Sequence, residues 1–409
     1  MDKTEHRTST GMSRRAFLGG ATAAVPLLYA APGGLLARAL AQASNAPDGA
    51  VRPAHSQFPS PLIIRTREPE NFEFPFSSLD SFITPTERFY VRSHFAQPKI
   101  EARDWRLHVE GAVDHPFELN YDELQKMPSR TVVATLECAG NNRVFLNPAE
   151  RGVQWELGAV GTAEWTGVPL SAILARAGLR PGSLEAVLQG ADSGEIRDEP
   201  KSPGKINFAR SLPLSKALQP DVLLAYRMNG AELTPSHGFP VRAVVPGWYG
   251  VASVKWLNRI LVTAGTYAGY YETFDYTYWQ RRNGLPIVTP ITEMEVKAQI
   301  ARPAMLEVVP MNTIYRVHGA AWTGESEVTK VEVTFDEGKT WAQAQLLGSP
   351  GRYTWRLWEY NWPTTVKAGR YTVMARATDA RGRVQPMQRD ADRRNYMISH
   401  VLPISVEVR

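Results

Sequence analysis

A single cysteine stands in this chain of 409 residues, within Thr135-Leu136-Glu137-Cys138-Ala139-Gly140-Asn141-Asn142-Arg143. A lone thiol makes no intrachain disulfide, so Cys138 is a ligand, a nucleophile or a packed side chain. The residues after it are small or polar, which lets the backbone and a ligand approach the sulfur closely. Arg143 adds positive charge that favours the thiolate. A soft sulfur donor in such a loop suits metal binding or nucleophilic attack. A buried thiol that only packs is the plainer alternative.

Three further stretches carry residue types fit for an anion. Phe89-Tyr90-Val91-Arg92-Ser93-His94 sets a guanidinium and an imidazole on one face of an extended chain. That pair suits a phosphate or an oxyanion; a surface salt bridge beside a capped histidine is the alternative. Ser236-His237-Gly238-Phe239-Pro240-Val241-Arg242, Pro246-Gly247-Trp248-Tyr249-Gly250 and Val254-Lys255-Trp256 place His237, Arg242 and Lys255 in a Gly- and Pro-rich run. Turn N–H groups and those cations can cradle the tail of an anionic cofactor, against the reading of solvated turn charges. Residues 267–282 hold five tyrosines and Trp279, which is a packing ridge or the source of a proton-donating hydroxyl.

The elements that position these residues are short, as 30 Pro and 31 Gly require. Alternation predicts a strand over 105–110, and residues 132–136 form a buried strand running straight into the cysteine loop. Helices are expected over 121–126 and over 170–177, the second ending at Gly178. Strands are expected over 241–245 and 254–262, which makes the first part α+β. Beyond residue 292 the runs at 316–319, 328–335, 355–358 and 371–378 are rich in Val, Tyr, Trp and Thr. Turns at Asp336-Glu337-Gly338 and Asp379-Ala380-Arg381-Gly382 separate them, which predicts an immunoglobulin-like β-sandwich. The expected domains are 44–294 and 295–409.

Taken together and in order, T-L-E-C-A-G-N-N-R, F-Y-V-R-S-H, H-G-F-P-V-R, P-G-W-Y-G and V-K-W-L resemble the sulfite oxidase family of molybdenum enzymes. The likeness runs from Ile83-Thr84-Pro85 through the sandwich. It implies a molybdopterin-binding catalytic domain followed by a sandwich that commonly forms a homodimer interface. It implies that Cys138 is the protein's ligand to molybdenum, the other ligands being a pterin dithiolene and oxygen. Arg92 and Arg143 then look like oxyanion-binding arginines, and Trp155 like the tryptophan of the substrate pocket. His94, His237, Arg242 and Lys255 look like the groups that hold the pterin and its phosphate. The family's tyrosine often follows Q-R-R, but Gln280-Arg281-Arg282-Asn283-Gly284 has none, so Tyr276 or Tyr278 is left to supply the hydroxyl. A C-terminal arginine of some relatives has no clear match in 395–408.

The activity so implied is oxidation of sulfite to sulfate. The sequence shows no C-x-x-C-H haem site, no cysteine cluster for iron–sulfur and no haem-binding extension, so no haem is expected in this chain and electrons are expected to pass to an external c-type cytochrome. A related molybdenum enzyme acting on a sulfane sulfur or a sulfoxide is the nearer alternative. A non-enzymatic β-sandwich adhesion or scaffold protein is the other; it predicts no bound metal and leaves the cysteine loop unexplained.

The N-terminus bears on location. Met12-Ser13-Arg14-Arg15-Ala16-Phe17-Leu18 matches a twin-arginine export signal. The stretch 19–31 is too short and too interrupted for a stable membrane span. Ala41-Gln42-Ala43 is a small-residue cleavage site, so residues 1–43 are expected to be removed and the protein to work in the periplasm. The net charge is +5, from 46 basic and 41 acidic residues. Residues 1–43 hold five of the basic and two of the acidic ones, leaving +2 for the mature chain and no long basic run. Nucleic-acid binding is not expected from that balance.

Overall fold

The computed structural model describes residues 62–409, and the expected signal lies outside them. These residues are mostly β. Their α-helices are short: Tyr121–Lys126, Leu170–Ala177, Leu214–Ala217 and Tyr270–Thr273. The α+β mixture expected for the first part is therefore dominated by strands. Local signals explain the two helices that were foreseen. Asn120 and Glu123 form a reciprocal capping box at the start of Tyr121–Lys126. Gly178, at a φ of 68°, closes Leu170–Ala177.

Two five-stranded sheets dominate the first part, beside a three-stranded sheet that ends in Val91–Arg92 and the hairpin of Thr277–Arg282 with Leu285–Pro290. One contains Arg130–Glu137, Val160–Pro169 and Leu223–Met228, with Arg242–Val244 also paired to the last of these. The other runs Phe117–Asn120, Arg106–Gly111, Leu257–Thr263, Glu185–Glu195, Lys205–Pro213. Its last pairing slips register between Gln189 and Ser193, a bulge that frees Asp192 from the strand alternation.

The C-terminal part is a four-stranded and a five-stranded sheet. Val317, Trp358 and Trp362 from one and Val331, Val373 and Val406 from the other share one apolar cluster. In Ile404–Val408, residues 404, 406 and 408 are buried and the two between them are not. A larger cluster joins the two parts: Ala320, Trp322 and Trp355 pack in the same core as Val241, Trp248 and Met294. Among the described residues no helix is long and apolar enough to cross a membrane.

Candidate active site

The cysteine loop begins where a strand ends. Glu137 is the last residue of Arg130–Glu137, paired with Val160. The Cys138 N–H still donates to the Ala159 carbonyl at 2.9 Å, and the chain then turns, with Asn141 N–H on the Cys138 carbonyl at 2.8 Å. Arg143 folds back over this turn and is only 4% exposed. Gly140 makes that possible, because a Cβ there would lie 2.3 Å from Arg143 Nη2. The Arg143 guanidinium donates to the carbonyls of Asn395 (3.2 Å) and Val153 (2.8 Å), which leave its charge uncancelled.

Two cavities meet Cys138. The first encloses about 630 Å³ and is lined by Arg92, His94, Cys138, Asp192, His237, Arg242, Lys255 and Tyr276, among others. The second, of about 710 Å³, is lined by Arg92, Cys138 and Tyr276 again, and by Arg143, Asp275 and Tyr396. The structure thus brings eight of the ten residues named from the sequence to one place. The other two line neither cavity. Trp155 is fully buried in the apolar cluster that contains Cys138. Tyr278 lies under the Arg393 guanidinium, 4.7 Å from its carbon.

The first cavity is crowded with buried basic groups. Arg242 spends its donors on the carbonyls of His237, Ser253 and Ala243. Lys255 donates to Ser93 Oγ at 2.8 Å and to the Ser236 carbonyl at 2.9 Å. Burial, then the neighbouring Arg242, lowers Lys255 to about 7. Burial alone accounts for the fall of Arg242 to about 10. Burial followed by Arg242 takes His237 down to about 3. The charged forms of these buried groups repel one another, and a polyanionic ligand relieves that repulsion.

Asp192 is the exception in sign. Its carboxylate is 4% exposed, its Oδ1 has no hydrogen-bond partner, and burial raises its pKa to about 6. It can accept N–H groups from a ligand in the same cavity. Among the described residues no three His, Cys, Asp or Glu side chains converge to hold a metal. A metal at Cys138 would therefore draw its remaining donors from a cofactor. One sulfur, a cationic cradle and one carboxylate with an unpartnered oxygen fit a phosphorylated pterin that carries its own metal ligands.

At the junction of the cavities, Tyr276 Oη accepts from Arg92 Nη2 at 3.2 Å and lies 2.7 Å from His94 Nε2. Burial, then Arg92, Lys255 and Arg210, pushes His94 well below its usual value, so it is neutral. Burial raises Tyr276, which keeps its proton beside the neutral imidazole. Burial works against the Arg92 charge, but Tyr276 and Cys138 outweigh it and the pKa is raised.

Residues 94–271 match the oxidoreductase molybdopterin binding domain, and residues 288–398 match the Mo-co oxidoreductase dimerisation domain. The chain is 36% identical over 346 residues to the sulfite oxidase of Gallus gallus, which covers 80% of this chain and 73% of that protein. It belongs to the sulfite oxidase family. Human mitochondrial sulfite oxidase is 33% identical over 351 residues, covering 80% of this chain and 61% of that one. Nitrate reductase [NADH] 1 of Arabidopsis thaliana is 34% identical over 364 residues, with 80% and 38% covered. Among solved structures, the sulfane dehydrogenase SoxCD from Paracoccus pantotrophus superposes with a TM-score of 0.72 at 25% identity, over 95% of this chain and 93% of that one.

The cavities also contain residues that the sequence did not single out. Asp192 is one, and its only local signal is the Asp-Ser-Gly run inside a strand, which marks a bulge. Tyr396 is another, brought in from the far end of the chain.

The depressed histidines make stability fall in acid. His237 is lowered to about 3, and His400 to about 4 by burial, then Arg389 and Lys297. The unfolded chain protonates these groups near the ordinary value, so it takes up protons first as pH falls below it. The stability they contribute is present above that value and is lost progressively toward the folded values. Asp192 acts in the opposite direction between its ordinary value and about 6, and offsets part of one histidine. Cofactor-free protein is expected to melt roughly 5 °C lower at pH 5 than at pH 7 by calorimetry, with His400→Gln reducing the difference. A flat profile would show that these imidazoles are protonated in the native state.

Proposed function

We propose that the mature chain is a periplasmic sulfite dehydrogenase. It oxidises sulfite to sulfate at a molybdopterin centre held by Cys138 and passes the electrons to a c-type cytochrome. One observation carries this reading: Cys138, Arg92 and Tyr276 are walls common to a buried cationic cradle and to a second cavity containing Arg143. Identity to the chicken sulfite oxidase supports the substrate. Export through a twin-arginine signal, catalytic and sandwich domains at 44–294 and 295–409, an immunoglobulin-like form for the second, and a homodimer through it belong to the same reading.

Sulfite and water become sulfate, two protons and two electrons. When bound, the molybdenum–pterin group supplies the oxygen transfer and takes up the electrons. Arg242, Lys255, His237 and His94 would hold the pterin and its phosphate, and Asp192, on the same cavity wall, would accept N–H groups from it. Arg92 and Arg143 draw the anion to the junction of the cavities and orient it. Tyr276, protonated and anchored by His94, offers a hydroxyl beside them. Trp155 shares the buried cluster of Cys138. Product sulfate prefers the same charges, so the arginines must hold it loosely enough to leave.

The fold match to the sulfane dehydrogenase favours a second reading, in which the substrate carries a sulfane sulfur. Molybdenum and pterin analysis of the purified protein, followed by ferricyanide reduction with sulfite and with thiosulfate, tests both. Protein from its native host with no molybdenum and no capacity to take it up would overturn them. Arg143→Ala is expected to raise KM for sulfite by about 10- to 100-fold, the value of a charge-assisted contact. An unchanged KM would remove Arg143 from the pocket.

A further inference from the structure

We propose that Tyr396 is a positioning residue that keeps Asp275 from neutralising Arg143. Tyr396 is 7% exposed and follows the short turn Ala391–Arg393. The Met397 N–H donates to the Ala139 carbonyl at 2.8 Å, so its segment is tied to the cysteine loop. The Tyr396 hydroxyl donates to Asp275 Oδ1. Its ring stacks on Tyr276, with centroids 4.6 Å apart and planes 23° from parallel. The Arg143 guanidinium carbon sits 5.0 Å from the centroid of the same ring.

Arg143, Asp275, Tyr276 and Tyr396 line one cavity. A carboxylate and a guanidinium on the walls of one cavity attract each other. A closed pair there would cancel the charge that an anionic substrate needs. Arg143 nevertheless makes no ion pair among the described residues. Tyr396 occupies both partners at once: its hydroxyl carries the carboxylate, and its π face takes the guanidinium. Neither contact consumes the Arg143 charge. The other contact of Asp275 Oδ1 is the Tyr276 N–H at 3.0 Å, which an asparagine oxygen can also accept.

This inference rests on the reading of Arg143 as an anion-binding group. The test uses cofactor-loaded protein and two readouts: sulfate binding by calorimetry at fixed ionic strength, which needs no turnover, and KM and kcat for sulfite. Molybdenum per chain and the melting midpoint report on folding. Tyr396→Leu is expected to weaken sulfate binding and raise KM by about tenfold, with a smaller change in kcat. Adding Asp275→Asn to that variant is expected to return both values to within about threefold of wild type. Recovery of that kind does not follow from a merely structural loss. Tyr396→Phe removes only the hydroxyl, so it tests the same point if the leucine variant misfolds. It should give a smaller shift in the same direction, again reversed by Asp275→Asn. Wild-type binding in Tyr396→Leu, or a double variant no better than the single one, would overturn the role of Tyr396. Wild-type protein that binds no sulfate would overturn the anion pocket itself, and this inference with it.

Discussion

Cys138→Ser is expected to reduce sulfite-dependent ferricyanide reduction by more than about 100-fold, beyond what loss of an outer partner of a metal site costs. Three features of the loop make this a test of the sulfur alone. The turn is held by backbone bonds, from Cys138 N–H to Ala159 and from Asn141 N–H to the Cys138 carbonyl, and serine keeps both. The side chain is 5% exposed, and an oxygen in place of sulfur leaves almost no void. The cradle of Arg242, Lys255 and His237 does not depend on it. The variant should therefore fold, melt within a few degrees of wild type and retain pterin while losing turnover. A serine hydroxyl is a harder and far less acidic donor than a thiol, and a soft-ligand metal position does not accept it as an equivalent. Wild-type turnover in the serine variant would remove the sulfur from the mechanism. Loss of pterin together with metal would instead make Cys138 part of the cradle.

What was legible in the sequence depended on how local the signal was. The two longer helices were readable from caps and spacing, and the strand entering the cysteine loop from its apolar run. The grouping of Arg92, His94, His237, Arg242 and Lys255 was not readable from spacing. It came from the resemblance, since about 140 residues separate the two stretches that meet. Tyr276 and Tyr278 show where alternation fails. In an unbroken strand they would share a face. A left-handed backbone at Tyr276, with a φ of 43°, puts it out of phase with the strand Thr277–Arg282 that carries Tyr278. The first tyrosine therefore turns into the cavities and the second lies against Arg393. Trp155 is fully buried in the apolar cluster that includes Cys138. Tyr396 and Lys297 gave no local signal, because each acquires its role only when the C-terminal sheets dock on the cysteine loop.

Lys297→Met should show how much that docking matters. Lys297 begins the strand Lys297–Arg302 of the C-terminal part, yet its Nζ donates to Glu137 Oε1 at 2.7 Å and to Asn142 Oδ1 at 2.6 Å. Glu137 Oε2 accepts the Trp322 indole N–H at 2.9 Å. Both charges are almost fully buried, with side chains 3% and 2% exposed. Burial lowers the Lys297 pKa, and Glu137 works against that fall. Removing the lysine leaves a buried carboxylate with hydrogen bonds but no counter-charge, one residue before Cys138. Breaking a buried pair in this way costs about 3–5 kcal/mol. The melting midpoint is expected to fall by roughly 5–10 °C, and molybdenum content with it as the loop loosens. Glu137→Gln alone leaves the lysine unpaired and should also destabilise. Glu137→Gln with Lys297→Met removes both charges and keeps an acceptor for Trp322, so most of the midpoint should return. A double variant no more stable than Lys297→Met would place the loss in packing rather than charge. Recovery of both midpoint and molybdenum would show that an uncompensated Glu137 charge, and not the lost lysine contacts, is what loosens the cysteine loop.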